Sequence, residues 1–275
     1  MHIALPQALE RAAAAVLDEG GVRHIAHGES DHVGAATAAA GDPDAVAFIG
    51  PFRSRAVAEA IEATAPAGLP LLAPVATWAG VTRDDEPGCD DDPADHRGTV
   101  LRMVARDTEV AFRLSAYLRA RGERALLVAG EGEYGTQLAG QLRRAQLPRA
   151  ADVAGAAFAI VAGVPEEPGM ERAAATAPLP VVAFDGIQGL DIGFDRDVWV
   201  VLPFAEDPTH GIEAARAAQL VVDALAAGAR TRAEVLEACR AAGPFDEHGD
   251  PIDPPVWLWR ADPDWGLRPD RPLEV

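Results

Sequence analysis

The chain has 275 residues, of which 49% are hydrophobic and 5% aromatic, and its formal charge is −19. This length allows two lobes of about 100–150 residues, each with its own core, and the apolar content excludes a disordered chain. The 43 acidic residues outnumber 24 basic ones, all arginine, which argues against a nucleic-acid partner because phosphate binding needs clustered positive charge.

The N-terminal segment predicts a short strand over His2–Pro6 and then a helix over Gln7–Leu17, ended by a Gly-Gly pair. No segment reaches the roughly 18 apolar residues that a membrane-spanning helix needs. The start lacks a basic region and charged residues interrupt its apolar run, so it does not fit a secretory signal. We therefore expect the chain as written to be cytoplasmic, or extracytoplasmic if a leader was removed.

Strands and helices alternate along the rest of the chain. Further strands are predicted over His24–His27, Ala45–Pro51, Leu69–Pro74, Val100–Val104, Ala125–Ala129, Phe158–Val161, Val181–Phe184, Trp199–Pro203 and Val256–Arg260. Helices are predicted over Asp31–Ala40, Ser54–Ala65, Glu109–Arg121, Thr136–Ala145, Met170–Ala175, His210–Ala227 and Arg232–Ala241. Such alternation predicts an α/β fold with parallel sheets covered by helices on both faces. Ligands of these folds bind beyond the carboxyl ends of the strands.

One glycine pattern offers an enzymatic interpretation. The segment GEGEYG (Gly130–Gly135) lies between a predicted strand and a predicted helix, as a dinucleotide-binding loop does. Glu131 and Glu133 would face the pyrophosphate, so an ordinary strand–helix turn is favoured. Because no nucleophile–base pair emerges from the sequence, we expect neither an enzyme nor a cofactor.

Two polar groups could hold a metal. One comprises His24, His27, Glu29, Asp31 and His32, and scattered surface residues are the favoured alternative. The other is the acidic segment Thr82–Gly98, which lacks the spacing of a calcium loop and is more typical of a solvated loop. Cys89 and Cys239 form no metal motif, and both are predicted to be free thiols.

The segment Ala45–Arg83 is the most informative, since it contains two successive strand–loop–helix units. Ser54 stands at the start of the first predicted helix, and Thr77 follows the second strand. Either residue could cap a helix N-terminus. Either loop could also present N–H groups and a hydroxyl to a carboxylate.

Four segments together resemble a known family. They are IGPFRS (Ile49–Ser54), GLPLLAPVATWAGVTR (Gly68–Arg83), the strand–helix–strand–YG run Leu101–Ala139, and GPFDEHGDPIDPPVWLWR (Gly243–Arg260). In order and spacing they resemble the leucine/isoleucine/valine-binding, type I periplasmic receptors of ABC transporters. The resemblance covers nearly the whole chain.

The resemblance implies two Rossmann-like lobes with parallel sheets flanked by helices, joined by crossing hinge strands. Lobe 1 would comprise residues 1–103 and 204–252, and lobe 2, which is shortened, residues 104–203 and 253–275. The implied function is binding of a small polar ligand, an amino acid or related amide or acid, in the cleft between the lobes. An ABC permease would be the partner. The alternative is a cytoplasmic ligand sensor or partner-binding module on the same scaffold.

The resemblance also implies a set of ligand contacts. It assigns the ligand carboxylate to the hydroxyls of Ser54 and Thr77 and to the main chain of Val75, Ala76 and Thr77, and the ligand ammonium to Asp185. Phe52 and Trp78 could supply an apolar wall, and half-exposed packing is an equally weighted alternative for Trp78. An ordinary Asp-Gly turn is an equally weighted alternative for Asp185.

Overall fold

The computed structural model describes residues 4–24, 31–83, 96–176, 178–184, 196–204, 211–264 and 266–274, with the backbone alone at 4–10 and 174. The chain forms two units, each built from separate stretches of sequence. Unit 1 comprises Met1–Arg106 and Thr209–Pro254, and unit 2 comprises Asp107–Pro208 and Pro255–Val275.

The elements alternate along most of the chain. The helices are α1 (Ala4–Glu19), α2 (His32–Gly41), α3 (Ser54–Thr64), α4 (Asp107–Ala120), α5 (Glu133–Arg144), α6 (Gly211–Ala226) and α7 (Arg232–Ala242). The strands are β1 (Phe48–Ile49), β2 (Leu71–Ala73), β3 (Val100–Arg102), β4 (Ala125–Ala129), β5 (Phe158–Ala162), β6 (Val181–Ala183), β7 (Val198–Leu202), β8 (Trp257–Ala261) and β9 (Leu267–Pro272). Among the described helices, none is long and apolar enough to cross a membrane.

Unit 1 is a three-layer arrangement around a parallel sheet of order β1-β2-β3. Because successive strand residues point to opposite faces, Leu71 and Ala73 pack into the cluster that α2 and α3 cover. Leu72, between them, packs with residues of α6 and α7. Helix α1 lies against α6. The carboxyl ends of β1 and β2 therefore lie side by side at one edge of the sheet.

Unit 2 contains a sheet of order β4-β5-β6-β7-β8-β9. The first four strands are parallel, and β8 and β9 are antiparallel to their neighbours. Between α5 and β5 the chain forms only a single 3-10 turn, Val153–Gly155. The α/β class with helix-flanked sheets is confirmed, and two antiparallel strands complete the second sheet.

Two element predictions differ from the structure at the chain's ends. The strand predicted over His2–Pro6 is wrong, because α1 already begins at Ala4, and Pro6 in its first turn loses no helical hydrogen bond. Strand β9 was not predicted: its sequence LRPDRP alternates charges with prolines, a composition that edge strands tolerate. Of the strand predicted over His24–His27, His24 lies outside any strand and the rest lies outside the described residues.

Candidate functional site

The loop after β2, Val75–Thr77, carries main-chain donors that have no acceptor among the described residues. Within the described part of the chain, no hydrogen bond has the N–H of Val75, Ala76 or Thr77 as its donor. The three residues are nevertheless buried, with Thr77 only 7% exposed. Buried N–H groups are almost always paired with protein, water or ligand. These N–H groups can therefore donate to an acceptor that lies outside the described residues.

Ser54 joins this loop to the start of α3. It is the first residue of the helix, Arg53 occupies the N-cap position, and no side chain caps this terminus. The Ser54 hydroxyl oxygen instead accepts a hydrogen bond from the N–H of Trp78 at 3.2 Å. Within the described residues its own hydrogen has no acceptor and can still be donated. Of the two alternatives for Ser54, capping of the helix is therefore wrong, because Arg53 occupies the N-cap and the Ser54 hydroxyl has a partner from the neighbouring loop.

Thr77 does not cap a helix either. The 3-10 helix that follows, Ala79–Val81, has Trp78 at its N-cap position and no side-chain cap. Ser54 and Thr77, the two predicted carboxylate ligands, thus follow the carboxyl ends of adjacent parallel strands, Ser54 in the first turn of α3 and Thr77 in the loop after β2. Two hydroxyls, the N–H groups of Val75–Thr77 and the positive end of the α3 dipole can together bind an anion.

The two predicted aromatic wall residues pack within unit 1. Phe52 contacts the cluster formed by residues of α1, α6 and Val75. Trp78 packs against the cluster beneath α2 and α3, and its indole lies so close to Gly80 that a Cβ there would clash with the ring. Both side chains are therefore partly buried and pack against the core of unit 1.

A buried carboxylate that sequence reasoning missed lies beside the same loop. Asp250 is 2% exposed. It accepts hydrogen bonds from Thr82 (2.6 Å), Arg102 (2.9 Å) and Arg83 (2.8 Å), and Arg106 forms a further ion pair at 3.4 Å. Burial acts to raise the pKa of Asp250. The Arg102 charge and the hydrogen bonds from Thr82 and Arg83 outweigh burial, so this pKa lies below its usual value.

In unit 2, the predicted ammonium ligand Asp185 lies outside the described residues. The glycine loop Gly130–Gly135, by contrast, is described and is filled by the protein itself. Both carboxylate oxygens of Glu167 accept from the N–H of Gly135 at 3.1 Å. A Cβ at any glycine of the pattern would clash with Glu167. A carboxylate of the chain thus occupies the place that a pyrophosphate would take, which supports the structural turn over the dinucleotide loop.

Two histidines of the candidate metal group have structural partners, whereas His27 and Glu29 lie outside the described residues. His32 pairs with Glu59 on α3 at 2.7 Å, and His24 lies 3.6 Å from Asp18. Cys239 is buried in unit 1, and burial, aided by the charge of Asp223, raises its pKa to about 11. Such a thiol is a poor nucleophile at neutral pH. Cys89 and most of the acidic segment 82–98 lie outside the described residues.

Searched as a sequence, the chain matches no protein-family model and no curated protein. Searched as a structure, it is similar to an ABC transporter substrate-binding protein from Desulfitobacterium hafniense in complex with Leu. The two are 18% identical, with a TM-score of 0.73 over 97% of this chain and 95% of that one.

Two further solved structures give similar values. A leucine-binding protein from Thermotoga maritima is 14% identical, with a TM-score of 0.74 over 98% of this chain and 94% of that chain. A solute-binding protein of an ABC transporter from R. palustris, in complex with benzoate, is 13% identical, with a TM-score of 0.71 over 98% and 92%. At these identities the likeness establishes the fold, and it spans nearly the whole of both chains.

Proposed function

We propose that this chain, which has the fold of a type I periplasmic binding protein, is a solute-binding protein for a small ligand that carries a carboxylate. The observation that carries the proposal is the buried loop Val75–Thr77, whose N–H groups have no acceptor within the described residues. The hydroxyl of Ser54, which adjoins this loop, supports it. The binding energy would come from charge-assisted hydrogen bonds in a buried setting.

The bound molecules of the similar structures support the same ligand chemistry. Leu is bound by the D. hafniense protein and benzoate by the R. palustris protein. The two molecules share a carboxylate, and only leucine carries an ammonium group. A site that recognises the carboxylate through main-chain N–H groups is compatible with both, because N–H groups read the anion and not the rest of the ligand.

The first prediction tests the carboxylate. L-leucine and benzoate are expected to bind in isothermal titration calorimetry at least about tenfold more tightly than L-leucinamide and benzamide, because each amide removes the charge from the group facing the loop.

The Thr77→Ala variant should weaken carboxylate binding by about 10-fold or more, which is the value of one hydrogen bond to a charged group. Thr37→Ala is the matched control, since the Thr37 hydroxyl donates to the Val33 carbonyl of its own helix. Equal binding of acids and amides, or no heat with any of the four, would contradict the proposal.

The second prediction tests Asp185, which we propose as the partner of a ligand ammonium. The Asp185→Asn variant should weaken L-leucine binding by about 10–100-fold, because the charge of the pair is lost in a site from which water is excluded. Benzoate has no ammonium, so its affinity should stay within about twofold of the unchanged protein. Titration of both ligands against this one variant supplies its own control. If leucine and benzoate weaken equally, Asp185 acts on the fold and not on the ammonium.

An ABC permease is the partner that this proposal implies. The three similar structures are described as transporter or ligand-binding components, which supports a transport role over the cytoplasmic sensing alternative. Transport also implies an extracytoplasmic location, and that remains part of the proposal. Co-purification with a permease encoded beside this gene would test it.

A further inference from the structure

Arg102 is a fully buried arginine at the end of β3. A buried guanidinium is costly unless its charge is paired and all its donors are used. Asp250 supplies the charge, accepting from the Nε of Arg102 at 2.9 Å. The other donors reach the segment that follows β2, and this is where the arginine acts.

Arg102 donates hydrogen bonds to the Val75–Thr77 loop and to the turn that follows it. Its Nη1 donates to the carbonyl oxygens of Ala76 (2.5 Å) and Trp78 (3.0 Å), and its Nη2 donates to Thr82 Oγ1 (2.7 Å) and to the carbonyl of Ala79 at the limiting distance of 3.5 Å. The planar guanidinium, a rigid fork of N–H donors, thus holds several oxygen atoms within a segment of seven residues. Lysine has no such fork, because its ammonium is a point charge on a flexible stem.

These bonds determine where the loop's donors point. The carbonyl of Ala76 and the N–H of Thr77 belong to one planar, trans peptide unit, so they point in opposite directions. Because Arg102 holds the Ala76 oxygen, the Thr77 N–H points away from Arg102. On the next peptide unit, the Trp78 N–H is held by Ser54. The first peptide unit is thus held through its oxygen by Arg102 and the second through its N–H by Ser54, so both are fixed without a ligand.

We propose that Arg102, held in place by Asp250, is a positioning residue that pre-organises the Val75–Thr77 loop and thereby sets its affinity for a carboxylate. This inference rests on the function proposed above. Arg102 does not touch the ligand. It keeps the donors of the loop in the binding geometry, so that binding does not have to order them.

The test uses Arg102→Lys, which keeps the positive charge and removes the fork. Arg232→Lys is the matched control, because Arg232 is a second carbonyl-binding arginine of unit 1 that holds a different part of the chain. Its guanidinium bonds the carbonyls of Ala39, Ala40, Asp42, Ala45 and Ala67. Both variants are expected to lower stability, so stability alone does not discriminate.

Two measurements distinguish a positioning role of Arg102 from a general effect on stability. Calorimetry with L-leucine and benzoate should give dissociation constants raised by about 10–100-fold in Arg102→Lys and by less than about threefold in Arg232→Lys. Amide hydrogen exchange of the ligand-free protein, resolved by NMR, should show the Trp78 N–H exchanging about tenfold faster or more in Arg102→Lys only. This second measurement needs no ligand.

Thr82→Val is a milder variant for the case that Arg102→Lys does not fold. It removes one acceptor of Arg102, and it should shift both measurements in the same direction by about threefold. Unchanged Trp78 exchange in the folded variants, or equal loss of affinity in Arg102→Lys and Arg232→Lys, would overturn the inference. Failure of the unchanged protein to bind any carboxylate would instead overturn the proposed function, and Trp78 exchange would still decide the role of Arg102.

Discussion

Replacing Asp250 with asparagine is expected to lower the free energy of unfolding of unit 1 by about 3–5 kcal/mol, because removal of one partner of a buried ion pair leaves the other charge uncompensated. In this unit the cost is compounded, since Arg83 and Arg102 both donate to the same carboxylate and Arg106 lies within ion-pair distance. A urea titration followed by circular dichroism measures the loss. Asp44→Asn is the control, because the Asp44 side chain is 81% exposed and lies 4.0 Å from its arginine partner, and its loss should cost less than about 0.5–1 kcal/mol.

The same carboxylate makes stability depend on acid pH. The folded-state pKa of Asp250 lies below its unfolded value, so the unfolded state binds the proton more readily. The stabilisation is therefore fully present above the unfolded pKa and is lost as the pH falls through the folded pKa. Between neutral pH and strongly acidic pH, the unchanged protein should lose more stability than Asp250→Asn does. Parallel pH profiles of the two proteins would contradict this role of Asp250.

Replacing Gly249 with alanine is expected to destabilise unit 1 by about 3 kcal/mol or more, because two separate penalties coincide. Gly249 has a φ of +89°, which side chains disfavour, and a Cβ there would fall onto the carbonyl oxygen of Val100. The main chain cannot retreat from this contact, since the Gly249 carbonyl accepts the Arg102 N–H at 2.9 Å. The turn that carries Asp250 is thus attached directly to β3.

The Gly228→Ala variant separates the penalty of the positive φ from the penalty of the Cβ clash. Gly228 also lies in unit 1 with a positive φ, +103°, but a Cβ there would meet no atom within 4 Å. This variant should cost only the conformational term, about 1–2 kcal/mol. Thermal unfolding of the two variants measures the difference. If both lose the same stability, the close approach between Gly249 and Val100 has no energetic weight.

The parts of the fold that local patterns determine could be predicted from the sequence. Strand β4 and helix α7, whose apolar runs are bounded by glycines or a capping threonine, were predicted within a residue of their observed ends. The capping box of Thr231 and Glu234 uses residues three positions apart. Strand β9 could not be predicted in this way, because its pairing with β8 and not its own composition makes it a strand.

The candidate site could be predicted only in part, for the same reason. Ser54 and Thr77 follow recognisable strand ends, and in the structure they lie after the adjacent strands β1 and β2. What supports those loops comes from distant parts of the sequence: Ser54 accepts from a residue 24 positions away, and Arg102 pairs with a residue 148 positions away. An arginine within VLRMV looks like a solvent-facing strand residue, and only the tertiary pairing shows that it is buried. Glu167, 32 positions from Gly135, is equally invisible to local motifs.

The separation of Arg102 from Asp250 also has a consequence for biosynthesis. At about 5–20 residues per second, a ribosome needs roughly 7–30 s to add the 148 residues that separate them. During that interval the nascent sheet β1-β2-β3 lacks the partner of its buried arginine, and helices α6 and α7, which cover Leu72 and Leu101, are synthesised only towards its end. The sheet of unit 2 is also incomplete during this interval, since β8 and β9 follow every other described strand. Neither unit can therefore complete its fold in the order of synthesis, because unit 1 needs residues up to Pro254 and unit 2 needs the strands that follow them.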